Sequence, residues 1–225
     1  MRTLLWKDFR QNLRMFIAAG VFLVLPYVVA LTYGVATLFG TAYERKIFYE
    51  RGGWTVVMFG AAVFALGIAV GLSAFVAGNA VAGERADRSS EFASYLPISR
   101  VSAITSKAIL AIGFCVCIFA GNVIVYLLMS SSLPNLHRSS TDADVAWNFL
   151  ATFSCLFGVA WLVSSLSNSP AMAAVSGLVA AGLIGMVNEM AFVEQGSWFF
   201  RTACIVLGLG GFLAGIGYYV RRVEP

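Results

Sequence analysis

Few residues of this chain have the types and the spacing that catalysis needs. Ser73, between the small residues Gly71 and Ala74, could act as a nucleophile only beside a general base. His137 is the one histidine of the chain, and we interpret it as a solvated loop residue beside Arg138. Without a positioned base, serine is a weak nucleophile. The sequence therefore predicts that the chain is not an enzyme and has no catalytic residue.

The lysines lack the setting of a nucleotide-binding loop. Such a loop places a lysine, followed by serine or threonine, at the end of a glycine-rich turn that cradles phosphates. None of the three lysines, Lys7, Lys46 and Lys107, stands in that context. We therefore expect no cofactor in this chain and no ATP hydrolysis by the chain alone.

The cysteines do not have the spacing of a metal site or of a disulfide framework. All four, Cys115, Cys117, Cys155 and Cys204, lie inside apolar runs, where cysteine is typical as a small hydrophobic residue. Cys115 and Cys117 are close in sequence, but an i, i+2 spacing places them on different faces of a helix. No metal site is expected.

The composition is that of a membrane protein. The 225 residues are 60% hydrophobic and 12% charged, whereas soluble domains carry about 25% charged residues. The net charge of +4 comes from positive residues at the ends of apolar runs, which is where orientation in a bilayer places them. This pattern argues against nucleic-acid binding.

The uncharged stretches predict six membrane-spanning helices in one all-α transmembrane domain, residues 1–225. Each of these stretches exceeds the ~18 residues that mark a span. The stretch 145–188 has 44 residues, and as one helix it would be far longer than the ~30 Å hydrocarbon core. The turn formers from Ser167 to Pro170 divide it. The spans are expected near 16–39, 54–82, 108–130, 145–166, 171–188 and 199–220.

The positive charges predict the orientation. Six spans place both termini on one side, together with the connection between the second and third spans. That side has ten positive residues: Arg2, Lys7, Arg10, Arg14, Arg85, Arg88, Arg100, Lys107, Arg221 and Arg222. The other side has five: Arg45, Lys46, Arg51, Arg138 and Arg201. The positive-inside rule therefore predicts that both termini are cytoplasmic.

Residues 3–15 are predicted to form an amphipathic interfacial helix before the first span. Leu5, Phe9, Leu13 and Phe16 recur on one face, and Trp6 would anchor the helix in the headgroup layer. Charged and polar residues, Asp8 among them, occupy the other faces. The alternative is a simple extension of the first spanning helix.

Two pairs of glycines have the spacing of a helix-packing motif. Gly67 and Gly71 lie in the second span, and Gly211 and Gly215 lie in the last. Small faces let helices approach closely in lipid. The packing could be within one chain or between two copies of it.

The connection 83–107 is predicted to hold a short docking helix. A serine can cap this helix, and Glu91 in its first turn favours the helix dipole. Phe92, Tyr95 and Leu96 form an apolar strip at i, i+3, i+4, and Pro97 ends the helix. Such a strip flanked by charge is typical of a protein-docking element, although it could also lie on lipid.

At this connection the sequence resembles the ABC-2 family, the permease subunits of ATP-binding-cassette exporters. The resemblance rests on an ordered set of motifs and on the six-span layout with an opening helix at residues 5–14. The motifs are Glu84-Arg85, Ser90-Glu91, Leu96-Pro97-Ile98-Ser99-Arg100 and Lys107. The chain departs from the family in having Ser89-Ser90 where glycine-threonine is common, and in its short segment 189–198.

The resemblance implies a mechanism that the composition alone does not. Such a permease pairs with a second permease copy as a homodimer or a heterodimer, and each copy docks a cytosolic ATPase that binds ATP and Mg. The segment around 84–96 would be the coupling helix, with Arg100 at its far side. The resemblance also implies the cytoplasmic membrane of a prokaryote as the location.

Two other functions remain open from the sequence. The chain could be a membrane-anchored subunit that recruits an ATPase without transport, or an ion-coupled secondary transporter. The second is disfavoured because the predicted spans hold no ionisable residue at a central position. An uncharged interior suits a hydrophobic or amphipathic substrate.

Overall fold

The computed structural model describes residues 2–50, 52–86, 99–132, 142–191 and 198–221. Every regular element in these ranges is an α-helix. The seven helices are α1 (Arg2–Phe39), α2 (Ala42–Glu50), α3 (Gly53–Ala86), α4 (Arg100–Ser131), α5 (Asp142–Leu166), α6 (Pro170–Ala191) and α7 (Trp198–Arg221).

Six of these helices are long and apolar enough to cross a membrane, as the sequence predicts. They are all but α2, which has nine residues. The predicted break between the fourth and fifth spans is confirmed, because α5 ends at Leu166 and α6 begins at Pro170. The Ser169 hydroxyl accepts a hydrogen bond from the Met172 amide and so caps the start of α6.

The first helix corrects the prediction of a separate interfacial helix. The chain runs from Arg2 to Phe39 as one α-helix of 38 residues, so 3–15 is the first part of α1. At ~1.5 Å per residue, α1 is about 57 Å long, against a hydrocarbon core of about 30 Å. Of the predicted apolar face, Phe9 and Leu13 lie outward, and Trp6 beside them is 62% exposed, whereas Phe16 is buried. A neighbouring face is packed inward, and Asp8 is buried there although the pattern predicts a polar face at this position.

The connections are shorter and more helical than the sequence suggests. Residues 83–86 belong to α3 and residues 100–107 belong to α4, so both ends of the predicted loop 83–107 are helix on either side of 87–98. Helix α2 was not predicted. Its start is a capping box: the Thr41 hydroxyl accepts from the Glu44 amide, and the Glu44 carboxylate accepts from the Thr41 amide at 2.7 Å.

Helix α5 is the centre of the bundle and packs against α3, α6 and α7. Its Trp161 is fully buried and lies 5.3 Å, ring to ring, from Phe212 of α7. Close approach of α5 and α7 depends on glycine: a Cβ on Gly211 would lie 2.8 Å from the Gly158 carbonyl oxygen. Helix α1 packs at the edge of the bundle, on α3 and α4.

Several helix ends meet at one end of the bundle, which we call the loop end. It is the end where α3 stops at Ala86 and α4 starts at Arg100. The start of α1 lies there, because Lys7 contacts Glu84. The end of α7 lies there as well, because Val220 and Val101 line the same groove. Which face of a membrane this end meets stays a prediction.

Candidate functional site

A cluster of polar and charged side chains joins α1, α3 and α4 near the loop end. Its members are drawn from helices far apart in sequence, and most are buried although this part of the bundle is otherwise apolar. We call it the polar cluster, and its residues are Lys7, Asp8, Asn12, Asn79, Glu84, Ser106 and Lys107.

Glu84 is at the centre of the charged part of the cluster. Its carboxylate oxygen Oε1 lies 2.6 Å from Lys107 Nζ and 3.3 Å from Lys7 Nζ. The side chains of Lys107 and Glu84 are 6% and 11% exposed, whereas that of Lys7 is 42% exposed. The pair with Lys107 is therefore a buried ion pair, and Lys7 is a partner at the rim.

The neutral and acidic residues form a second set of contacts between the same helices. The Ser106 hydroxyl donates to Asp8 Oδ2 at 2.7 Å, which joins α4 to α1. The Asn79 amide donates to Asn12 Oδ1 at 2.7 Å, which joins α3 to α1. Asn12 in turn donates to the backbone carbonyl of Asp8 at 2.8 Å. Helix α1 is thus bound both to α3, which precedes residues 87–98, and to α4, which follows them.

The local sequence explains why these side chains face inward. Asp8 and Asn12 are spaced i, i+4 and lie on the face of α1 that continues into Phe16 and Ala19, both buried. The Phe16 ring stacks on Phe114 of α4 at 4.0 Å between centroids. Apolar packing on the same face therefore holds the polar residues against α3 and α4.

The described contacts of the cluster hold α1, α3 and α4 together. Two lysines and two carboxylates balance in formal charge, and the described contacts pair each of them. A small cleft beside Asp8, Asn12 and Lys107 has room for about one water molecule, which is too little for a substrate. Breaking a buried pair by removing one partner costs about 3–5 kcal/mol, so the cluster favours one arrangement of its three helices.

The predicted docking residues fall into three groups. Glu84 and Arg85 belong to α3 and turn inward: Arg85 donates to the Ser165 carbonyl of α5 at 2.8 Å. Arg100 is exposed at the start of α4. The residues of the predicted docking helix, Glu91, Phe92, Tyr95, Leu96 and Pro97, lie outside the described residues.

The predicted packing glycines occupy two different surroundings. Gly211 and Gly215 pack on α5, where a Cβ on Gly215 would lie 2.7 Å from the Trp161 ring. A Cβ on Gly67 or Gly71 would meet nothing within 4 Å. The pair in α7 thus serves packing inside the chain, and the pair in α3 faces open space.

The residues of the interfacial prediction lie on the outer surface of α1. Phe9 and Leu13 are exposed, and the Trp6 and Phe9 rings stack at 6.1 Å. Leu5 is half-buried. This outward apolar stripe fits contact with lipid along α1.

Sequence reasoning missed Asp8, Asn12 and Ser106, and it assigned Glu84 and Lys107 only through the resemblance. The available signal was polar residues on consecutive turns at the ends of spans, where buried ionisable groups need partners. The cysteines behave as their spacing predicts, since Cys115 is buried and Cys117 is exposed.

The chain matches no protein-family model, no curated protein and no solved structure.

Proposed function

We propose that the chain is the permease subunit of an ABC exporter, paired with a second permease copy and coupled to a separate cytosolic ATPase. Six apolar helices support a multi-pass membrane protein. The ordered motifs from Glu84 to Lys107 support the family. A hydrophobic or amphipathic substrate suits the apolar helices.

The observation that carries the proposal is the Glu84–Lys107 ion pair. It joins the last turn of α3 to the second turn of α4. The pair therefore holds together the two helix ends that flank the proposed coupling segment. Force applied to residues 87–98 by a docked ATPase would then reach α3 and α4 together. Through Asp8 and Asn12 it would reach α1 as well. In this account Glu84 positions the segment rather than touching the ATPase.

An ion-coupled transporter is the second candidate, because the structure buries ionisable residues among apolar helices. Asp8 is 5% exposed and Glu84 is 9% exposed. Ionisable groups at such positions often serve proton or ion coupling. Their location near the loop end, and their pairing with serine and lysine, favour a structural role over a central pathway.

Transport in reconstituted vesicles tests the proposal. Vesicles that contain the chain and an ATPase purified with it should move a fluorescent amphipathic probe only with ATP and Mg present. ATP hydrolysis without probe movement would favour the recruiting subunit. Movement that needs a proton gradient and no ATP would favour the ion-coupled transporter, and either result would contradict the proposal.

A further inference from the structure

A long apolar groove runs between α4 and α7 from the loop end toward the middle of the bundle. Its volume is about 460 Å³, within the range of ligand sites. Residues on one stripe of α4, from Val101 to Gly113, line it together with Ile216 and Val220 of α7. The Thr105 hydroxyl donates to the Val101 carbonyl at 2.6 Å, so the groove offers no free polar group there.

The groove has the length of one lipid chain. From Val101 to Gly113 it follows α4 for about 18 Å at ~1.5 Å per residue. Half of a ~30 Å hydrocarbon core is about 15 Å. A single acyl chain that enters at the loop end would therefore be covered by protein over the depth of one leaflet.

Arginines adjoin the groove in sequence at the loop end. Arg100 directly precedes Val101, and Arg221 directly follows Val220, so an arginine lies beside the groove on each helix. Both side chains are exposed, and neither has a carboxylate partner among the residues that the structure describes. The positive end of the α4 dipole lies at the same end of the groove, and the negative end of α7 offsets it. The arginines therefore supply the attraction for an anion.

We propose that an anionic phospholipid binds at this groove, with its phosphate between Arg100 and Arg221 and one acyl chain along α4 and α7. Basic pockets between spanning helices are suited to anionic headgroups. Phosphatidylcholine would fill the groove equally well but carries no net charge. This site goes beyond the proposed exporter function and does not depend on it.

Native mass spectrometry of the purified full chain tests the site. The chain is released from detergent containing equal amounts of phosphatidylglycerol and phosphatidylcholine with identical acyl chains. We expect the unaltered chain to retain phosphatidylglycerol selectively. In each of the variants Arg100→Gln and Arg221→Gln, the binding of phosphatidylglycerol should be about fivefold weaker. Arg10→Gln, an exposed arginine of α1 with the same change in charge, is the matched control and should retain the lipid.

A second pair of variants tests the groove without changing charge. A Cβ on Gly113 or on Gly121 meets nothing within 4 Å, and both glycines are exposed on α4. Gly113→Leu fills the groove and should abolish retention, whereas Gly121→Leu lies outside it and should not. Circular dichroism of each variant checks that the helices are intact.

Three results would overturn the proposal. Equal retention of the two lipids would show that charge does not select the occupant. An equal loss of retained phosphatidylglycerol in Arg10→Gln and in Arg100→Gln would show that the attraction comes from the net charge and not from the arginines beside the groove. The third result has two parts: millimolar inorganic phosphate displaces the lipid, and Gly113→Leu retains it as the unaltered chain does. This would assign the arginines to free phosphate instead of a lipid headgroup.

Discussion

The Lys107 ammonium nitrogen lies 2.6 Å from the Glu84 carboxylate and joins the end of α3 to the start of α4. The pair therefore fixes the distance between the end of α3 and the start of α4, on either side of residues 87–98. Lys7 adds the start of α1 to the same carboxylate. Three helices are thus held together at the Glu84 carboxylate.

Removing Lys107 should destabilise the bundle much more than removing Lys7. Lys107→Met removes the buried partner of the Glu84 carboxylate, which costs about 3–5 kcal/mol. Lys7→Met removes a half-exposed partner and should cost no more than about 1 kcal/mol. Unfolding in SDS, followed by circular dichroism, measures both. Equal losses in the two variants would contradict the burial difference.

The double variant Glu84→Gln with Lys107→Gln should recover most of the stability that Lys107→Met loses. Two neutral amides of similar size can hydrogen-bond to each other, and no unpaired charge is left buried. The same unfolding experiment measures the recovery. If the double variant is as unstable as Lys107→Met, the pair does not act as one unit.

Ser106→Ala should destabilise the contact of α1 with α4. The Asp8 carboxylate then loses its 2.7 Å donor while it remains buried, and a hydrogen bond to a charged group contributes about 1.5–3 kcal/mol. Ser131→Ala is the matched control, since Ser131 is exposed on α4 and donates only to the Leu128 carbonyl. Comparable unfolding midpoints for the two variants would exclude a role for the Asp8 contact.

Adjacent glycines of α7 should respond in opposite ways to alanine. A Cβ on Gly211 would crowd the Gly158 carbonyl of α5, and overpacking of this kind costs about 1–3 kcal/mol. A Cβ on Gly210 meets nothing within 4 Å, so Gly210→Ala should be neutral or stabilising. Unfolding of the two variants side by side checks this. A larger loss in Gly210→Ala would refute the helix packing.

Helix α2 should lose stability in acid through Glu44. Hydrogen bonds from the Thr41 amide and hydroxyl lower the pKa of the Glu44 carboxyl from 4.5. Because the folded pKa is the lower one, the stabilisation is present above pH 4.5 and is lost as the pH falls through the folded pKa. Hydrogen exchange of the α2 amides, compared with Glu44→Gln at each pH, measures the loss.

Glu50→Gln is the control for this pH dependence, since Glu50 lies in the last turn of α2. It should follow the pH dependence of the unaltered chain. The assignment to Glu44 fails if Glu44→Gln shows the same acid loss as the unaltered chain.

The sequence predicted the spans well because uncharged length is a direct consequence of the bilayer. It also placed the break at Pro170 correctly, because proline is favoured at the first position of a helix. It did not predict that Asp8 is buried, since an amphipathic pattern ranks faces by polarity and takes no account of a partner such as Ser106. That partner is supplied by a helix about one hundred residues away, and tertiary contacts of this range have no local signature.

The glycines show the same limit. Spacing marks Gly67–Gly71 and Gly211–Gly215 as equivalent, but only the second pair meets another helix of the chain. Helix α2 was predictable in principle, because Thr41 and Glu44 have the spacing of a capping box. Its nine residues are polar and short, so a search for spans passes over them.

The most direct test of the proposed exporter function is the amount of ATPase that purifies with the chain from its native membranes. Mass spectrometry should find an ATPase with a nucleotide-binding loop in stoichiometric amount with the unaltered chain. It should be lost from the Glu91→Arg, Leu96→Asp double variant, while an Arg45→Gln control retains it. An unaltered chain that purifies without such an ATPase, or a double variant that retains it in full, would contradict the account.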